Sequence, residues 1–166
     1  MRHDGRAAKT WSGRAGNGTL TGGRIRTVQV MEEAEEPYFA FSATLRIYGE
    51  ALDLNEITRS MGLVPTHTHK KGESRRPGAP PYLDDAWLYS AGLPEDAPLD
   101  DHLQTLWADV APARDFLLAL KAKYKVDVFC GYRSNCDHAG FEVHPRSLAI
   151  FTTLDIPFGV SVIVIP

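Results

Sequence analysis

The sequence predicts an α+β fold, a two-layer sandwich with helices on one face of a largely antiparallel sheet. Three observations predict it. Short segments such as Phe39–Ile47 and Val126–Tyr132 alternate apolar and polar residues with the period of half-buried strands. Other segments carry apolar residues at helical spacing, as in Leu99, Leu103, Leu106 and Val110. The two kinds alternate along the chain, which favours strand–helix–strand units over a bundle or an all-β sandwich. The specific version expected is ferredoxin-like, with a faint internal duplication. Gly49–Pro65 and Gly140–Pro157 both read as glycine, apolar turn, two-turn helix, then apolar–x–Pro.

In chain order, the first strand is expected over 38–48 and stops at Gly49. Asp53 is placed to cap a short helix, with Glu56 three residues on and Leu54, Ile57 and Met61 on one face. Gly62 supplies the left-handed stop and Pro65 prevents a restart. THTHKKGE reads as a short edge strand whose basic residues oppose edge-to-edge pairing. SRRPGAPPYLDD is a proline-rich loop and Trp87–Ser90 another short strand. A helix follows from Leu99 to Val110, and Pro112 begins a second, with Phe116, Leu117, Leu120 and Tyr124 inward. VDVFCGYR is a strand with Val126, Val128, Cys130 and Tyr132 on one side. SNCDHAG is a turn and GFEVH a short returning strand. Pro145 opens a helix with Leu148, Phe151 and Thr152 inward, and FGVSVIVIP is a closing apolar strand.

The chain has 166 residues, 43% hydrophobic and 23% charged, ordinary for one domain. No apolar run reaches membrane-spanning length, so no membrane role is expected, and two cysteines cannot form a disulfide framework. The net charge of −3 conceals an asymmetry: residues 1–30 carry six cations against Asp4, which leaves −8 on the rest. Residues 1–30 are also rich in glycine and poor in apolar side chains, so they read as a flexible basic leader. The single α+β domain is expected over 31–166, with translation starting at Met31.

The segments LRIYGEALDLNEITRSMGLVPT, HKKGE, Trp87–Ser90, VDVFCGY and GFEVHPRSL, in that order and spacing, resemble a bacterial family, domain of unknown function 4279. The resemblance covers about residues 39–165 and omits the leader. It brings no established reaction. What it implies is a small acidic protein of the kind that acts as a toxin-immunity partner.

Each candidate site also has an ordinary structural reading. Cys130, Cys136, His138 and His144 are ligand types that suit zinc, but C-x5-C-x-H-x5-H lacks the tight pair of a zinc knuckle, so no metal or cofactor is expected. Cys130 reads as a core residue and Cys136 as a turn thiol with nothing to activate it. His67 and His69 share one face of an edge strand without a third ligand. The loop carrying Lys70, Lys71, Arg75 and Arg76 could receive an anion, with Trp87 or Tyr82 stacking on a planar ligand. Asp84, Asp85, Asp100 and Asp101 form the opposite, acidic pole, suited to a basic protein such as a toxin. The leading expectation is therefore a cytoplasmic protein-binding module with that acidic working face, more a binder than an enzyme. The alternative is a binder or enzyme for small anions using the 70–76 loop. Nucleic acid is the least favoured partner, because the acidic body repels phosphates.

Overall fold

The computed structural model describes residues 36–136, 138 and 140–165. The leader over 1–30 and Met31 lie outside the described residues. Strand β1 (Phe39–Gly49) is followed by helix α1 (Leu54–Met61), strands β2 (His67–His69) and β3 (Asp85–Ser90), and helices α2 (Leu99–Val110) and α3 (Arg114–Lys121). Strand β4 (Lys125–Ser134), helix α4 (Ala149–Leu154) and strand β5 (Val160–Val164) complete the order. Single 3-10 turns at Ala111–Ala113 and Pro145–Leu148 lead into α3 and α4.

The sheet order is β2-β3-β1-β4-β5. Strand β1 runs antiparallel to both β3 and β4, and β2 antiparallel to β3. It follows that β1 and β2, joined through α1, are parallel with β3 between them. Likewise β3 and β4, joined through α2 and α3, are parallel with β1 between them. Two interleaved split strand–helix–strand units of this kind make the ferredoxin-like arrangement. Beyond it, α4 and β5 form an added unit, with β5 parallel to β4.

Pairing register explains why the helices cover one face. Ala43, Leu45 and Ile47 lie opposite Cys130, Val128 and Val126, and Ile47 also lies opposite Trp87. All are buried in one core with Ile57 of α1, Leu99, Leu103 and Leu106 of α2, Leu117 of α3 and Ile150 of α4. Because strand side chains alternate, the residues between them must point the other way. Ser42, Thr44, Arg46 and Tyr48 of β1 do so, alongside Asp127 and Phe129 of β4, and among the described residues this second face carries no helix.

Local signals act as their chemistry requires. The Asp53 carboxylate accepts the Glu56 amide at 2.9 Å at the start of α1, and Gly62 closes that helix at φ 66°. Two expectations change. Residues 140–144 form no strand, because Asp100 takes the His144 amide at 2.8 Å while Phe141 packs edge-on against Phe41. In α4 the inward residues are Ile150, Phe151 and Leu154, and Thr152 is exposed. The tighter 3-10 turn at Pro145–Leu148 shifts the helical phase. Strand β5, the closing apolar strand, lies at one edge of the sheet, with Val162, Ile163 and Val164 exposed.

Candidate functional site

The acidic and basic groups singled out in the sequence are largely internal anchors. Asp85, at the start of β3, is 5% exposed and its carboxylate accepts three donors. These are the Leu52 amide at 2.9 Å, the Lys71 amide at 2.8 Å and Lys70 Nζ at 3.1 Å. The Lys71 amide leads in holding its pKa below the usual carboxylate range, against the opposing effect of burial. One side chain thus pins the β1–α1 connection and the 70–76 loop to the sheet. Asp100, in the first turn of α2, is also buried. Burial alone would raise its pKa, but neighbouring donors, the His144 amide at 2.8 Å and Gln104 Nε2 at 2.6 Å among them, outweigh it and lower the value.

These placements correct the acidic face formed by Asp84, Asp85, Asp100 and Asp101. Asp85 and Asp100 face inward because strand and helix phase direct them there and buried backbone amides need acceptors. Asp84 and Asp101 are exposed. The two poles are not separate either, since Lys70 pairs with Asp85, and Lys71 Nζ lies 2.5 Å from Glu50.

The anion-binding alternative changes in the same way. Of its four cations only Arg75 and Arg76 stand exposed without a side-chain ion pair among the described residues. Trp87 is fully enclosed; its indole donates to Thr58 Oγ1 at 3.0 Å, so it offers no face to a ligand. Tyr82 stacks on His69 at 3.6 Å between ring centroids. His67 and His69 do share the helix-free face, with ring nitrogens 3.3 Å apart. Among the described residues no three His, Cys, Asp or Glu side chains converge as a metal site would require. Cys130 sits in the core, where burial pushes its thiol up to about 12, so it is protonated at neutral pH.

Among the described residues, the helix-free face of the sheet is the surface left open. At its centre Arg46 donates to Asp127 through Nε at 2.7 Å and Nη2 at 3.0 Å, a bidentate pair. Burial opposes the guanidinium charge, but Asp127 outweighs it and raises the arginine pKa further. The guanidinium also lies 4.9 Å from the Phe129 ring centroid and 5.3 Å from that of Tyr48. Beside this cluster the Thr44 and Ser90 hydroxyls bond across β1 and β3 at 2.7 Å. Gly131 opens a shallow hollow of about 160 Å3 lined by Ser42, Phe129, Arg133, Glu95, Ser161 and Ile163. A Cβ at Gly131 would stand 2.6 Å from Ser42 Oγ, so any larger residue would intrude on this hollow. Arg133 closes its rim through Glu95 at 2.7 Å.

Known proteins place the chain by its sequence. A family model described as a domain of unknown function, DUF4279, matches residues 38–164. The chain belongs to the DUF4279 family. The match spans β1 through β5, so the added α4–β5 unit is included in the DUF4279 domain. No curated protein and no solved structure matches the chain.

Sequence reasoning identified the strands of this face but not the face itself. Arg46 and Asp127 are 81 positions apart and meet only through the β1–β4 register. The available signal was a charged residue at an outward position of each of two alternating strands. Pairing could not be read from that alone.

Proposed function

We propose that this DUF4279 domain is a non-catalytic protein-binding module that works through the helix-free face of its sheet. The observation that carries this reading is the face itself, with Tyr48 and Phe129 around a bidentate Arg46–Asp127 pair. Aromatic and arginine side chains supply most of the energy in protein interfaces, and a pre-formed ion pair limits the ordering cost on binding. A small-molecule site would instead be concave and enclosing. The net −8 of residues 31–166 favours a basic partner, as a toxin-immunity role would require. Asp84 and Glu95, which line hollows at this face, take over the steering role in place of the buried Asp85 and Asp100.

A photo-reactive phenylalanine analogue at Phe129 tests the reading in the full-length chain in its native host. The same analogue at Leu118, exposed on α3, is the comparison. The expected result is one discrete cross-linked protein from position 129, absent from position 118 and reduced by the Asp84→Lys and Glu95→Lys pair. Cross-linking from 118 alone, or none from 129, refutes the proposal.

A further inference from the structure

We infer that strand β5 is a self-pairing edge, and that two copies of this chain join there into one continuous ten-stranded sheet. The inference is independent of the helix-free face as a binding surface. The sheet ends in two unlike edges. Strand β2 has only three residues, carries His67 and His69 and runs directly into Lys70 and Lys71, which protects it from pairing. Strand β5 is paired with β4 on one side only, and among the described residues nothing pairs with its other side. Val162, Ile163, Val164 and Ile165 are 57, 50, 51 and 45% exposed. No charged residue occurs after Asp155, so the strand lacks the lysine or glutamate that usually guards such an edge.

The strand sequence fits a second copy better than it fits an unrelated chain. Val160, Val162 and Val164 lie opposite Cys130, Tyr132 and Ser134, on the helix-bearing face, while Ser161 and Ile163 take the other. An antiparallel twofold centred on Val162 pairs Val160 with Val164 and Ser161 with Ile163. Every side chain then stays on its own face, as strand parity demands. The valines of both copies form one apolar row, and no like charges oppose each other within the strand. Because β2 is guarded, each copy offers a single edge, so the association closes as a dimer and does not extend. The helix-free faces of the two copies become one surface.

Sedimentation of the full chain over a range of concentrations, alongside two variants, tests this. The natural chain should sediment as a dimer. Val162→Lys places two ammonium groups across the axis and should weaken dimerisation by at least roughly tenfold. Val64→Lys, at an 81% exposed position outside β5, should leave the dimer intact. Both sites are solvent-facing, so unchanged circular dichroism separates lost pairing from lost folding. In a Cys136→Ser background, Val162→Cys should form an intermolecular disulfide on mild oxidation. A monomeric natural chain overturns the inference, as does a Val162→Lys protein that remains dimeric. A dimer without the disulfide overturns the register.

Discussion

Replacing Trp87 with alanine empties the largest fully buried side-chain site in the molecule, beside Ile47 and Tyr89. A buried tryptophan contributes roughly 200 Å2 of enclosed surface. At about 25 cal/mol per Å2 its removal costs on the order of 5 kcal/mol, and cavity-forming substitutions of this kind span about 3–5 kcal/mol. For a domain of this size the melting midpoint should fall by roughly 10–20 °C. The indole N–H adds a second, separable effect. Thr58 Oγ1 accepts it at 3.0 Å while its own hydroxyl donates to Leu54 O at 2.8 Å. Trp87→Phe leaves the Thr58 hydroxyl satisfied, whereas Thr58→Val strands the indole N–H and should cost about 1–3 kcal/mol. Combining the two should show a coupling on the order of 1 kcal/mol, because the valine no longer orphans a donor. Urea unfolding followed by far-UV circular dichroism measures the natural chain and all four variants. A Trp87→Ala loss below about 1 kcal/mol, within reach of surface substitutions, refutes the assignment of Trp87 to the core.

Other consequences can be checked by urea unfolding at different pH values and by thiol labelling. Burial leads in holding His102 below its ordinary pKa of 6.5, so the unfolded chain takes up a proton first. Its stabilising effect is present above pH 6.5 and is lost as pH falls, and His102→Gln should flatten the stability profile between about pH 7 and 5. Asp85 and Asp100 are likewise depressed below 3.8, which places a second loss at still lower pH; Asp85→Asn or Asp100→Asn should reduce that acid-side slope. Gly49→Ala puts a methyl group 2.6 Å from the Tyr124 ring and should destabilise by about 1–3 kcal/mol, read as a lower urea midpoint. Thiol labelling of the native protein should modify the half-buried Cys136 but reach Cys130 only on unfolding. Rapid labelling of both would show that β4 is not a core strand.

Local chemistry was legible residue by residue. Asp53 and Gly62 bound α1 because a carboxylate cap and a left-handed glycine act within one turn of chain. The alternation of Val126, Val128 and Cys130 assigned β4 and its buried side because strand parity is a property of the backbone. Less followed where the local geometry departed from the regular repeat. The 3-10 turn before α4 moved Thr152 outward, and no residue in PRSL distinguishes that turn from a first α-helical one.

The sequence by itself determined that this is an α+β chain, where most of its strands and helices lie, and which side of each is apolar. Those properties depend on side-chain period and on capping groups a few residues apart. Only the tertiary structure decided what the charged residues do. Whether Asp85 is a surface acid or the acceptor for Leu52, Lys70 and Lys71 depends on three contacts 14 to 33 positions away. Whether Arg46 is free or held by Asp127 depends on a register 81 positions apart. Apolar burial follows local periodicity, because the hydrophobic effect is non-directional and needs only a face. A hydrogen-bonded charge needs a particular partner at about 3 Å, and only the folded chain brings that partner near.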